Sequence, residues 1–184
     1  MIIEKENFIS NELCDFFVKY HNTHPYDAKH RNSEAGYIFT INCDEKAAEG
    51  NPAFKLLLNR LTFFADKILK NTFVDYSQIV KWPEGEWQDE HLDFQDKFLS
   101  SVLNLNDNYE GGETVIEGKI IKPKKGKIVL FNGTQQKHKV LPITSGTRYT
   151  NTTWYINKTE EEVIKWKNLI YIVLREGLEN IYNL

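Results

Sequence analysis

The stretch Phe98-Leu-Ser-Ser-Val-Leu-Asn-Leu105, Asn106-Asp-Asn-Tyr-Glu-Gly-Gly112, Glu113-Thr-Val-Ile-Glu117, Gly118, Lys119-Ile-Ile-Lys122, Pro123-Lys-Lys-Gly126, Lys127-Ile-Val-Leu-Phe131 alternates short apolar runs with Gly, Pro and Asn. Apolar, β-branched runs interrupted by turn residues about every 8–12 positions mark the short strands of a sandwich or barrel. Working outward, the same texture covers residues 73–157, with further runs at Tyr76–Trp82, Trp87–Phe94, Lys137–Ile143 and Arg148–Ile156. With Phe98–Leu105, Glu113–Glu117, Lys119–Lys122 and Lys127–Phe131 these predict eight strands, the number of a double-sheet jelly roll.

Helical periodicity flanks this core. Residues 10–21 read as a helix capped by Ser10 or Asn11, with Leu13, Phe16, Phe17 and Tyr20 on one face. Tyr37–Ile41 reads as an isolated strand, and the rest of 22–51 as loops. Residues 52–70 form a second helix, with Asn51 as cap, Pro52 in the first turn, and a stripe of Phe54, Leu57, Leu61, Phe64 and Ile68. Thr159-Glu-Glu-Glu162 is a capping box opening a last helix that carries Val163, Trp166, Ile170 and Val173. The expected fold class is mainly β with flanking helices (α+β). One domain is expected over 1–184: N-terminal helices 1–72, a jelly-roll core 73–157 and a C-terminal helix 158–184.

A chain of 184 residues with 41% apolar residues can bury a substantial core, which excludes a disordered or fibrous chain. Net charge is −3, and the densest basic stretch, Lys119–Lys127, is broken by Ile120, Ile121 and Pro123. It reads as a solvated hairpin, and no nucleic-acid partner is expected. The two cysteines, Cys14 and Cys43, are too few and too far apart for a disulfide framework or zinc site. Charged residues from Glu4 onward exclude a signal peptide, and no apolar run reaches membrane-spanning length, so a soluble cytoplasmic location is expected.

The chemistry begins with His91-Leu-Asp93. On a strand, residues two apart face one side, so an imidazole and a carboxylate would share an interior. Alone such a pair is commonly a surface feature. His138, on another expected strand, adds a second imidazole. Two His and one Asp can occupy one face of an octahedral iron and leave three positions open, the facial triad of non-haem Fe(II) oxygenases. Arg148 follows ten residues later (148 − 138) and can grip a carboxylate with two parallel hydrogen bonds. By itself it would be read as a surface ion pair; after a triad histidine it reads as a carboxylate anchor.

Taken together, Trp82-x-x-Gly85, His91-x-Asp93, Tyr109-x-Gly111-Gly112-Glu113-Thr114, Pro123-x-x-Gly126-x-x-x-x-Phe131, His138-x-Val140-x-Pro142-x-x-x-Gly146-x-Arg148 and Trp154 resemble the catalytic core of the prolyl 4-hydroxylase-like iron(II)/2-oxoglutarate-dependent oxygenases. Phe8-Ile-Ser-x-x-Leu-Cys14 resembles the start of the family's N-terminal helix. The resemblance implies a double-stranded β-helix, with Fe(II) on His91, Asp93 and His138 and the distal carboxylate of 2-oxoglutarate on Arg148. It implies dioxygen as a further reactant and admits ascorbate as an accessory. Ser100 falls where a hydroxylated residue assists co-substrate binding, and Asn104 near an aromatic position. Trp82 replaces a Tyr whose hydroxyl touches the co-substrate, and an indole can donate but not accept. No general base is required, and none is nominated beyond the metal ligands.

Other residues have plainer readings. His21, His24 and His30 read as ordinary histidines rather than a second metal site. Residues 25–50, including Arg31-Asn-Ser33, are either a lid over the groove or a variable loop. The acidic residues Glu84, Glu86, Asp89 and Glu90 read as a solvated strand edge, with a basic substrate as the alternative. Trp154 is a candidate for the substrate pocket, Trp87 a weaker one. By family analogy the substrate is a prolyl residue in a peptide or protein. The alternatives are a free amino acid or other small molecule, and a non-catalytic jelly-roll binding module. Nucleobase demethylation is disfavoured, because Trp154 occupies the position where such relatives carry a second Arg.

Overall fold

The computed structural model describes residues 1–31, 36–94, 98–159 and 161–162. In chain order the elements are β1 (Ile2–Lys5), α1 (Asn11–Thr23), β2 (Ala28–Arg31), β3 (Tyr37–Asn42), α2 (Glu45–Gly50), α3 (Pro52–Ile68), β4 (Thr72–Trp82), β5 (Gln88–His91), β6 (Leu99–Asn104), β7 (Glu110–Gly111), β8 (Thr114–Ile116), β9 (Lys119–Ile121), β10 (Ile128–Phe131), β11 (His138–Val140), β12 (Ile143–Ser145) and β13 (Arg148–Asn157).

Both expected helices form with their expected caps. Ser10 Oγ accepts from Leu13 N at 3.3 Å, and Asn51 Oδ1 accepts from Ala53 N at 3.0 Å. The stripe of α3 points Phe54, Leu57 and Leu61 into the core, with Phe64 and Ile68 at its margin. The capping box closes too: Glu162 accepts from Thr159 N at 2.7 Å, and Thr159 Oγ1 accepts from Glu162 N at 3.2 Å. The helix expected beyond it, with Val163, Trp166, Ile170 and Val173, lies outside the described residues.

The strands make a major antiparallel sheet of order β1-β10-β6-β13-β4-β3-β2, facing a minor one of order β5-β11-β8-β9, with β12 and β7 as a short ribbon. Strand β6 is buried along its whole length because both its faces are covered. Leu99 and Leu103 pack toward the helices with Phe17, Phe54 and Leu57. Val102, from the opposite face, packs with Ile116 and Ile121 of the minor sheet. Two antiparallel sheets facing each other around a cavity, with helices behind the larger, form a jelly roll.

Three departures from the sequence reading matter. Residues 1–72 are not only helices: β1 extends the major sheet beside β10, and β2 adds a strand beyond β3, which forms where Tyr37–Ile41 was expected and pairs with β4. The expected loop region 25–50 is thereby largely regular structure, apart from residues 32–35, which lie outside the described residues. The expected strand Lys137–Ile143 breaks in two at Leu141-Pro142, since proline supplies no ladder N–H. Gly111 receives the displaced chain. It has φ +70°, and a Cβ there would collide with the Pro142 carbonyl. The expected strand Trp87–Phe94 shrinks to β5, because Asp93 N turns away to donate to Gly133 O at 2.9 Å.

The Lys-rich stretch is not a hairpin, because β9 pairs with β8 in the minor sheet and β10 lies in the major one, but it is charge-matched. Lys119 and Lys127 pair with Glu4, each at 2.7 Å, while Lys124 and Lys125 pair with Glu6 and Asp15 at 2.6 Å. Among the described residues no helix is long and apolar enough to cross a membrane.

Both thiols are buried, and burial pushes Cys14 up to about 11 and Cys43 up to about 12. The folded protein at pH 8 is therefore expected to resist a maleimide, and to take up two equivalents once unfolded in guanidinium. Rapid labelling of the native state would show that α1 or the β3–α2 connection opens readily.

Candidate active site

The site is built where the two sheets face each other. His91 ends β5 and His138 starts β11, and the two are Cα partners in the antiparallel pairing. Their ring centroids lie 4.2 Å apart. His91 Nδ1 is 2.7 Å from the Asp89 carbonyl oxygen, and His138 Nδ1 is 3.0 Å from that of Gln136. A carbonyl only accepts, so Nδ1 carries the hydrogen in both rings. A ring held this way directs Nε2 toward the cavity side, the arrangement by which second partners orient metal-binding imidazoles.

Asp93 completes the group, although not as its spacing suggested. It lies beyond the end of β5, so the same-face rule for strands does not place it. Its position comes from its backbone bond to Gly133 and from Ser100, whose Oγ donates to Asp93 Oδ2. Asp93 Oδ1 lies 3.7 Å from His138 Nε2. One candidate ligand atom from each of the three residues falls within 4.8 Å of the others, and this is the one such His/Cys/Asp/Glu group among the described residues. Burial pushes the Asp93 carboxyl up, but contacts with His138, Ser100 and Trp154 outweigh it, and the group sits below the ordinary value.

A cavity of about 160 Å³ joins this trio to Arg148. Arg148 starts β13, is 1% exposed, and donates from Nη2 to Thr114 Oγ1 of β8 at 3.0 Å. Its guanidinium lies over the Trp82 ring, 5.2 Å from the centroid. Arg148 Nε and the neighbouring buried Tyr109 hydroxyl have no hydrogen-bond partner. Burial drives the Arg148 pKa down and the Tyr109 pKa up. A buried guanidinium flanked by unmatched donors has the donor chemistry that a carboxylate accepts from. The donor set also suits Fe(II): two imidazoles and one carboxylate are its facial ligands. The residues present therefore fit both groups.

The other expected residues divide. Ser100, Trp82 and Trp154 all line the cavity. Ser100 Oγ donates its hydrogen to Asp93 Oδ2. Trp82 spends its N–H on Thr150 Oγ1 at 3.3 Å, so it offers the cavity only its ring. Trp154 stacks on Tyr76 with centroids 5.6 Å apart. Asn104 lies apart, donating to Lys127 O at 3.3 Å. None of Glu84, Glu86, Asp89 and Glu90 lines the cavity, and neither does Trp87. His21 is a buried helix residue bonded to Phe39 O at 3.0 Å, and His24 stacks on Tyr20. Sequence reasoning missed Thr114 and Tyr109 as companions of Arg148. Thr114 could have been read as the one polar residue of the run Thr-Val-Ile. Tyr109 opens the motif that ends at Thr114, but nothing local ties it to Arg148: the turn at Gly111-Gly112 is what brings it there.

Fold and site together give a jelly roll whose cavity holds a two-His, one-Asp group able to take a metal ion, and a buried guanidinium. Residues 77–156 match the family model of the 2OG-Fe(II) oxygenase superfamily, in line with the prolyl 4-hydroxylase-like resemblance of the sequence. That family implies Fe(II), 2-oxoglutarate and dioxygen. A PKHD-type hydroxylase of Xanthomonas campestris pv. campestris is 40% identical over 30% of this chain, and the match spans only about a quarter (27%) of that relative's length. The crystal structure of a Pseudomonas putida prolyl-4-hydroxylase shares the fold with a TM-score of 0.64 at 19% identity, over 86% of this chain and 93% of that one. A Trichoplax adhaerens prolyl hydroxylase, solved with a hypoxia inducible factor peptide fragment, gives 0.65 at 18% identity, over 85% and 83%.

Removing one side of a buried ion pair costs about 3–5 kcal/mol. Arg148→Ala is therefore expected to weaken 2-oxoglutarate binding to the Mn(II)-loaded protein about 100- to 4,000-fold by calorimetry, with Mn(II) affinity little changed. Unaltered 2-oxoglutarate affinity would remove Arg148 from the site.

Proposed function

We propose that the chain is an Fe(II)- and 2-oxoglutarate-dependent dioxygenase that hydroxylates a prolyl residue in a peptide or protein. His91, Asp93 and His138 hold the iron, and Arg148, with Thr114 and the face of Trp82, holds the distal carboxylate of 2-oxoglutarate. The observation that carries this reading is one cavity containing both the trio with its free Nε2 atoms and an unmatched buried guanidinium. In this reading residues 1–184 act as one unit in which α1 and α3 brace the major sheet.

When bound, Fe(II) and 2-oxoglutarate supply the oxidising chemistry: dioxygen is consumed, succinate and carbon dioxide are released, and a C–H bond of the substrate becomes C–OH. The protein's own part is placement. The Asp89 and Gln136 carbonyls fix the two imidazoles, and Ser100 fixes the carboxylate. Val80, Val102, Phe131 and Trp154 give the cavity apolar walls that keep water from the reacting centre. No side chain has to take a proton from carbon.

A peptide or protein substrate is supported by two observations. Exposed Leu92 and Phe94 flank Asp93, offering apolar surface beside the centre rather than a sealed chamber. The Trichoplax adhaerens relative was solved with a peptide fragment.

The test is to load the protein anaerobically with Fe(II) and 2-oxoglutarate, then admit oxygen with proline-containing peptides. Succinate together with a peptide gain of one oxygen atom is expected, both abolished in His138→Ala. Succinate without peptide oxidation would overturn the prolyl substrate and favour a small molecule. Absence of metal binding would overturn the oxygenase in favour of a binding module.

A further inference from the structure

We infer that Ser100 and Gly133 form a clamp that restricts Asp93 to one oxygen as a metal ligand and so keeps a coordination position open for dioxygen. This rests on the reading of Asp93 as a metal ligand.

The two carboxylate oxygens of Asp93 are in different situations. Oδ1 faces His138 Nε2 at 3.7 Å, on the side where the free imidazole nitrogens converge. Oδ2 is turned away and accepts the hydroxyl hydrogen of Ser100. Ser100 is itself fixed from both sides, because its strand β6 is paired with Phe131 on β10 and Trp154 on β13 at that position. Gly133 closes the third side. Its carbonyl accepts from Asp93 N at 2.9 Å, and a Cβ at Gly133 would overlap both Asp93 Oδ2 and Ser100 Oγ. Gly133 is therefore small for a reason of space, and its φ is not in the left-handed region.

The consequence follows from counting positions. An octahedral metal has six. Two imidazoles and one carboxylate oxygen use three, a chelating 2-oxo acid uses two, and one remains for dioxygen. A carboxylate free to bind through both oxygens would take that last position. The hydrogen bond from Ser100 occupies Oδ2 and makes the two-oxygen mode compete with it. Ser100 and Gly133 are thus positioning residues: they act through Asp93 and need not touch the metal or the co-substrate.

The test uses the full chain with Co(II) as probe. Wild type, Asp93→Ala, Ser100→Ala, Ser100→Thr and Gly133→Ala would be titrated with Co(II), following affinity and the visible spectrum of the bound ion. Circular dichroism would confirm that each variant is folded. Loss of a residue orienting a metal ligand typically costs about 10- to 100-fold in metal affinity. Ser100→Ala is expected to lose affinity by that order, and its Co(II) spectrum to change in shape as the carboxylate rebinds through both oxygens. Ser100→Thr should restore affinity and spectrum, because the hydroxyl is kept. Gly133→Ala should resemble Ser100→Ala. A folded Ser100→Ala with wild-type affinity and spectrum, while Asp93→Ala binds poorly, would overturn the clamp and leave the metal site standing. Equal Co(II) binding by wild type and Asp93→Ala would instead overturn the metal-ligand reading beneath it.

Discussion

The Arg148 guanidinium is held out of water between the two sheets, with Trp82 of the major sheet on its face and Thr114 of the minor sheet on one N–H. Desolvating an ion without a counter-ion costs several kcal/mol, and among the described residues no carboxylate is paired with it. A folded chain sustains such a group when something else is meant to neutralise it. The surrounding construction follows. The sheets stand apart far enough to leave a cavity, the glycine turn at Gly111-Gly112 closes one side, and the donors that remain are aimed at one small anion.

The metal trio obeys a complementary logic. Three groups that would otherwise sit together with poor reason are each held by a partner that frees one atom: two backbone carbonyls for the imidazoles, one hydroxyl for the carboxylate. Two of the three candidate ligands come from the minor sheet. The third hangs between the sheets, tied to the β10–β11 connection through Gly133 and to β6 through Ser100. Among the described residues no helix lines the cavity. The helices cover the far face of the major sheet, where Phe17, Phe54, Leu57 and Leu61 pack behind Leu99 and Leu103, and so make β6 a rigid support for Ser100.

Much of this was legible in the sequence because it is written in local chemistry. Ser10 and Asn51 cap where a polar residue precedes an apolar stripe, and β8, β9 and β10 fall in the runs that read as strands. The trio was legible because His, Asp and His at strand positions ahead of an Arg form a pattern with few other uses. What escaped depends on partners distant in sequence. Ile2–Lys5 and Ala28–Arg31 carry too little apolar alternation to announce strands, and become so only by pairing with β10 and β3. Asp93 looked like a strand residue because nothing in His91-Leu-Asp93 shows that its N–H will bond to Gly133. That Ser100 donates its hydrogen to Asp93 was likewise not legible, since only the three-dimensional arrangement reveals which neighbour takes it.

The most direct measurement is a crystal structure of the protein grown anaerobically with Fe(II) and 2-oxoglutarate, with the metal located by anomalous scattering. The account predicts a single strong peak within about 2.0–2.2 Å of His91 Nε2, Asp93 Oδ1 and His138 Nε2, as expected for nitrogen and oxygen ligands of such ions. It also predicts the distal carboxylate of 2-oxoglutarate forked onto Arg148. A metal bound elsewhere, or a 2-oxoglutarate whose carboxylate leaves Arg148 unpaired, would contradict it.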